Sequence, residues 1–432
     1  MRILSRIYFI AIIVILQACN TTGGLFKKRS PHELYRSKLE SSGLEKTVMG
    51  AQWIAVAQTS LASPLSVKIP YQEKGYFSPQ DIKAVALRFS AKRGEKLNIS
   101  LTIRPDNFKI YADLLEYTED RSYKLLAFAD TSGSPLIFDA DNKTEFILRL
   151  QPELLSGGEY SLSINTGPVL AYPVSDPKNK IGSFFGDGRD EGGRLHEGID
   201  MFSAFRTPVV AAANGTVSRV TENTLGGKVV FMRPGNKDYT LYYAHLDSQI
   251  VSSGQQVSVG DTLGLMGNTG NARTTPPHLH FGIYTLQGAI DPLPFVDRRI
   301  QYPAKISADS TKLAHSLLAR KNAVLFQTDR LTGGAALPAS TPLVIEGITA
   351  ALYKVKLPDN SRGFVSARNV MDIPAGEKLN LKDTQSVYDK PDSLAARITT
   401  ISKGTTVAFI GTFKGFNLVR LREGVVGWIK SD

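Results

Sequence analysis

The chain has 432 residues, 42% of them hydrophobic, with 37 Gly and 22 Pro. That composition excludes a mainly disordered or fibrous protein and, at roughly 150 residues per domain, points to about three domains or more. The formal charge of +11 favours anionic surroundings without choosing among nucleic acid, an acidic membrane surface and an acidic wall polymer, and the single cysteine, Cys19, excludes an internal disulfide and a multi-thiolate zinc site.

Arg2 and Arg6 precede an apolar run from Ile7 to Leu16, too short to span a bilayer but matched to the h-region of a signal peptide. The run closes on Leu16-Gln17-Ala18-Cys19. This resembles a bacterial lipoprotein signal, which implies that residues 1–18 are removed and that Cys19 is lipidated. Asn20 rather than Asp follows the cysteine, and by resemblance to the enteric sorting rule this implies the periplasmic face of the outer membrane. In that cell-envelope location the positive charge meets peptidoglycan, not nucleic acid.

Residues 19–64 read as a tether and a helical segment. Gly and Lys/Arg from 20 to 30 offer nothing to pack, and Ser30-Pro31-His32-Glu33 carries a capping signature that starts a helix running to about Leu39. His32 reads as a solvated helix-start residue. A second helix is expected from about Leu44 to Leu61 with Val48, Trp53, Ile54 and Ala57 inward. From 65 to 167 short runs alternate: Val85, Leu87, Phe89; Leu97, Ile99, Leu101, Ile103; Phe146, Leu148, Leu150; Tyr160, Leu162, Ile164. Such runs, separated by Gly and Asp turns, predict a β-sandwich of jelly-roll type, acting as a spacer or binding module.

A Pro-punctuated boundary then opens the stretch 168–300, which holds four of the six histidines. Beyond it, Leu313, Leu317 and Leu318 have helical spacing around His315, which reads as a surface or packing residue. The C-terminal part repeats itself: Thr341–Gly347, Tyr353–Leu357 and Gly363–Val365 parallel Thr405–Gly411, Asn417–Leu421 and Gly427–Ile429. The two copies, 321–373 and 379–432, resemble bacterial SH3-like barrels, which implies wall-peptide recognition or a docking surface. The fold expected is therefore mainly β and multidomain: a sandwich, a central sheet domain and two small barrels.

The chemistry lies between His196 and His280. His196 and Asp200 are four apart, but Gly192, Gly193 and Gly198 favour a loop leading into a strand, and Asp at 200 excludes the helical His-Glu-x-x-His pattern. His278 and His280 are two apart in an apolar run, so both project from one face of a strand. Three oxygen/nitrogen ligands suit a catalytic metal site. His196, Asp200 and one of His278/His280 supply them, leaving the other and His245 to act on a metal-activated water and a tetrahedral intermediate.

His196-Glu-Gly-Ile-Asp200, Tyr243-Ala-His-Leu246 and His278-Leu-His280-Phe281, in this order, resemble the lysostaphin-like (LytM) zinc metallopeptidases. The resemblance runs from about Ile181 to Pro294 and takes in Gly215-Thr-Val217 and Gly267-Asn-Thr-Gly270. It implies a mainly antiparallel β-sheet with one zinc ion in a groove, His196, Asp200 and His280 as its ligands, and His245 and His278 as the catalytic pair. Where the family usually has Thr-Gly-Pro before its His-x-His, this chain has Thr274-Thr-Pro-Pro277. The activity implied is endopeptidase cleavage of peptidoglycan cross-links, D-Ala–diaminopimelate in such an envelope. The alternative is a non-catalytic activator of a cell-wall amidase. A regulatory envelope protein that displaces a segment such as 184–194 from the groove is a further candidate partner.

Overall fold

A computed structural model describes residues 29–431 apart from 119, 121, 142–144, 190, 191, 300, 422 and 423. The signal peptide, the lipidation site Cys19 and the tether up to residue 28 lie outside the described residues. Among the described residues no helix is long and apolar enough to cross a membrane.

The first helix, α1 (Pro31–Ser41), starts with the expected capping box: Glu33 N–H donates to Ser30 Oγ, and Ser30 N–H donates to Glu33 Oε2 at 3.0 Å. The second, α2 (Val48–Ala62), begins later than expected. A 3-10 turn occupies Leu44–Lys46, and Thr47 caps the helix by accepting from Gly50 N–H. Its inner face is Gly50, Trp53, Ala57 and Leu61, so Val48, expected inward, is solvent-exposed. His32 also departs from expectation. It is buried, stacks on Trp53 at 4.7 Å, and shares hydrogen bonds with Gln151 Oε1 at 2.7 Å and Arg149 Nη2 at 3.0 Å. The helix start is pressed against the sandwich, a contact 119 residues away in sequence that no local pattern encodes.

The alternating runs form two facing sheets. One has the order Leu65–Ser66, Val85–Ser90, Glu145–Pro152, Ile110–Tyr117, Tyr123–Phe128. The other holds Tyr71–Phe77, Gly158–Pro168, Glu95–Arg104 and Leu136–Asp139. Leu87, Phe89, Leu97, Ile99, Phe146, Leu148, Leu162 and Ile164 fill the space between them.

The second sheet does not stop at its edge. Tyr71–Phe77 pairs antiparallel with Pro342–Thr349, in register Lys74↔Ile348 and Gly75↔Gly347, and Leu352–Lys356 and Arg362–Ser366 continue the sheet. Under this joint lie two buried ion-pair groups. Lys354 Nζ meets Glu73, which also accepts from Tyr71 and Tyr160, and Glu346 joins Lys83 at 3.1 Å to Arg362 at 2.9 Å. The corresponding strands of the second copy, Thr406–Phe413, Phe416–Arg420 and Val426–Lys430, sit in a separate six-stranded sheet around Val387, Val407, Val419 and Ile429. Residues 311–320 form no α-helix: a 3-10 turn at Ser310–Lys312 leads to the strand Ser316–Ala319, which buries Leu317 and Leu318 against Pro342–Thr349. His315 is exposed.

The central domain is a ten-stranded sheet whose spine runs Lys180–Ser183, Ile199–Phe202, His278–Thr285, Thr240–Gln249, Gly227–Pro234, Gly215–Asn223, Gln256–Val257, each pair antiparallel. Alternation sorts its faces. Ile199, Met201, Leu279, Phe281 and Ile283 are fully buried in its core, so the residues between them face a groove on the other side.

Candidate metal centre

Register brings the motif residues together. In the antiparallel pair Ile199–Phe202/His278–Thr285, Asp200 lies opposite His280 and Phe202 opposite His278, so all four share the groove face. On the other flank Ala244 lies opposite His280 and offers only a methyl group there. His196 comes from the loop just before the Asp200 strand. That loop can pass close because residue 198 is glycine: a Cβ there would stand 2.6 Å from the Phe281 carbonyl oxygen and 2.7 Å from the His280 ring.

His245 reaches the groove by a different device. Tyr243 pairs with Val230 and Leu246 with Lys228, so Ala244 and His245 oppose the single residue Val229. This is a β-bulge, and His245 takes a left-handed backbone with φ of 62°, its N–H donating to the Gly226 carbonyl at 2.7 Å. Simple alternation would turn His245 away from Ala244's face. The bulge turns it back.

Three ligand atoms converge. His196 Nε2 is 2.9 Å from His280 Nδ1 and 3.0 Å from Asp200 Oδ1, and His280 Nδ1 is 3.1 Å from Asp200 Oδ1. His196 Nδ1 faces the Phe184 carbonyl at 2.8 Å, the contact that would hold the ring's proton on Nδ1 when Nε2 binds a metal. A tetrahedral ion with bonds near 2.0–2.1 Å holds its donors about 3.3 Å apart. The observed triangle is slightly tighter than that, and its two imidazoles and one carboxylate are the donor set of a catalytic site with an open position, so the residues fit a metal ion. Burial pushes the Asp200 carboxyl up, but hydrogen bonds from His196 and His280, with their charges, outweigh it and hold the group well below the usual carboxylate range. Burial lowers His280, against the pull of Asp200.

His245 and His278 stand beside this triangle with ring centres 4.9 Å apart. His245 Nδ1 bonds the Thr269 carbonyl at 2.9 Å and His278 Nδ1 bonds the Pro276 carbonyl at 2.9 Å. Each ring is thereby held at Nδ1, and among the described residues neither Nε2 has a hydrogen-bond partner. Burial, reinforced by the charge of His278, pushes His245 down to about 4, which makes it a neutral base at pH 7. These groups line a groove of about 650 Å³ whose wall includes Tyr242, Tyr284 and Phe231.

Other residues complete the site. Phe202 stacks on His278 at 4.9 Å and braces that ring; alternation from Asp200 already places it on the same face. Thr269 belongs to Gly267-Asn-Thr-Gly270. Besides orienting His245, its hydroxyl accepts from Lys228 N–H and donates to the Leu246 carbonyl, pinning the bulge. Arg189 donates to Asp200 Oδ2 at 2.6 Å, and nothing in the sequence spacing announces it.

Residues 194–292 match the model of Peptidase family M23. The L-Ala–D-Glu endopeptidase of Bacillus subtilis is 35% identical over 137 residues, covering 28% of this chain and 42% of that protein. The peptidoglycan DD-endopeptidase ShyC of Vibrio cholerae is 38% identical over 88 residues, 20% of each. The lipoprotein NlpD/LppB homolog of Pseudomonas aeruginosa is 37% identical over 137 residues, 31% of this chain and 42% of that one. The solved catalytic domain of lysostaphin from Staphylococcus simulans aligns at 30% identity over 27% of this chain and 90% of that domain, with a TM-score of 0.25. In these matches the chain spans about a fifth to two fifths of the curated relatives' length.

Proposed function

We propose that this chain, whose residues 194–292 form a domain of Peptidase family M23, is a zinc endopeptidase that hydrolyses peptide cross-links of peptidoglycan. The observation that carries the reading is the triangle of His196, Asp200 and His280 within 3.1 Å, set beside two further histidines whose Nε2 atoms have no hydrogen-bond partner among the described residues.

In this reading His196 Nε2, Asp200 Oδ1 and His280 Nδ1 hold one zinc ion. Bound there, zinc supplies Lewis acidity that activates water and polarises the scissile carbonyl. His245, neutral at pH 7, accepts the proton of the attacking water at Nε2. His245 then passes that proton to the leaving amine, and His278, 4.9 Å away by ring centre, would stabilise the oxyanion when it carries a proton at Nε2 as well as Nδ1. Backbone carbonyls at Thr269 and Pro276 hold both rings at Nδ1.

The bond we assign is D-Ala–diaminopimelate, supported by relatives named DD-endopeptidases. The location we assign is the periplasmic face of the outer membrane, through a lipid at Cys19; similarity to proteins named lipoproteins supports it. The C-terminal repeats are assigned as SH3-like modules that hold the wall.

Similarity to the NlpD/LppB homolog favours a second reading, an activator of a wall amidase. Digestion of purified sacculi with mass analysis of the products separates the two. The enzyme reading expects cross-linked dimers to fall to monomers with the chain alone, and the mass of the fragments names the bond. Stoichiometric zinc with no cleaved cross-link, and glycan release only when an amidase is added, contradicts it.

A further inference from the structure

We propose that Arg189 is a positioning residue that reserves one oxygen of Asp200, so that this carboxylate meets the metal through Oδ1 alone and leaves the open coordination position free. The inference rests on the metal assignment above. The two oxygens of Asp200 have separate partners. Oδ1 completes the triangle with His196 Nε2 and His280 Nδ1, while Oδ2 accepts from Arg189 Nη2 at 2.6 Å. The carboxylate is nearly buried, and the guanidinium is about a third exposed, so Arg189 closes the outer side of Asp200 toward solvent.

The hairpin that delivers Arg189 is tied to the other ligand as well. Gly188–Arg189 pairs with Arg194–Leu195, in register Gly188↔Leu195 and Arg189↔Arg194, immediately before His196. Arg189 Nη2 also donates to Ser183 Oγ at 2.8 Å; Ser183 Oγ bonds Asp187 Oδ2 at 2.7 Å and lies 3.3 Å from His196 Nδ1. The Asp187 carboxylate further accepts from Phe184 N–H, and Phe184 supplies the carbonyl that faces His196 Nδ1. One network of Asp187, Ser183 and Arg189 therefore sets the orientation of two ligands at once.

The chemistry gives this contact a consequence beyond rigidity. A carboxylate with both oxygens free can bind a divalent ion through both, which fills the position that catalysis needs. The Arg189 Nη2 hydrogen bond to Oδ2 opposes that, and the guanidinium charge also lowers the donor strength of the oxygen it holds. Losing Arg189 removes a cation from the site, so metal is retained; what changes is the coordination.

The test uses the full chain purified in detergent, loaded with one equivalent of zinc or cobalt(II), as parent, Arg189→Ala and Arg189→Lys. Expected for Arg189→Ala are zinc content equal to the parent, weakened and shifted cobalt visible bands that report a higher coordination number, and cleavage of sacculi reduced by about 10–100-fold. Arg189→Lys, which restores one donor and the charge, recovers part of the spectrum. A cobalt spectrum for Arg189→Ala identical to the parent overturns the inference while leaving the metal assignment intact. A parent that takes up no metal overturns both. Equal thermal melting of the apo forms separates the positioning effect from a folding loss, and an Arg189→Ala spectrum that changes only in proportion to unfolded chain counts against the proposal.

Discussion

Asp200 and His280 stand directly opposite one another on neighbouring antiparallel strands, with Oδ1 3.1 Å from Nδ1. Sheet register thus brings this pair together, as i, i+4 spacing does for side chains on one helix. Asp200→Asn keeps the shape and removes the charge. The expected outcome is zinc affinity lowered by more than the roughly 10–100-fold typical of losing an outer partner of a ligand, measured by competition with a chelator; affinity within a few-fold of the parent would remove Asp200 from the ligand set.

Gly198 is required by contact with the site. An alanine methyl would lie 2.6 Å from the Phe281 carbonyl oxygen and 2.7 Å from the His280 ring, so Gly198→Ala must push the His196 loop off the sheet. The predicted cost is about 1–3 kcal/mol of stability together with loss of zinc, read from thermal melting and metal content. A variant that melts and binds like the parent would show that the loop yields freely.

His32 makes the N-terminal docking sensitive to pH. Burial first, then the charge of Arg149, hold its pKa at about 3 in the folded chain against about 6.5 unfolded. The unfolded chain takes the proton first, so this contribution is whole above pH 6.5 and declines as pH falls from 6.5 towards 3. Between pH 7 and 5 the parent should lose about 2 kcal/mol more than His32→Gln in urea unfolding followed by tryptophan fluorescence, since Trp53 stacks on His32. Equal losses would mean His32 titrates normally.

The joint between Tyr71–Phe77 and Pro342–Thr349 depends on Lys354. Its side chain is 1% exposed and its partner Glu73 is fully buried, so Lys354→Met leaves an uncompensated carboxylate, at a cost of about 3–5 kcal/mol. Hydrogen exchange at Gly75 and Ile348 should accelerate in that variant, and exchange in the groove strands should not. Glu73→Gln combined with Lys354→Met removes both charges and should recover most of the loss.

Much of this was legible in the sequence, for physical reasons that also mark its limits. Two-residue periodicity in Phe146-Ile-Leu148-Arg-Leu150 or His278-Leu-His280-Phe281 states which side chains share a face, and the sandwich core and the groove strands follow from it. Ser30 and Glu33 specify their own cap. What local pattern cannot carry is pairing at a distance. The addition of Pro342–Thr349 to Tyr71–Phe77, the burial of His32 against Gln151 and the reach of Arg189 to Asp200 are set by partners elsewhere in the chain. Leu313, Leu317 and Leu318 misled because three apolar residues fit a helix turn and a strand entering a core equally well. The bulge at His245 is invisible to alternation, which it breaks.

The division of labour within His278-Leu-His280 is the central claim, and metal content measured beside cleavage in two single variants tests it most directly. His280→Ala is predicted to lose both zinc and cross-link cleavage, while His278→Ala keeps one zinc per chain and loses cleavage. Zinc retained in His280→Ala, or sacculi cleaved by His278→Ala as fast as by the parent, would contradict the account.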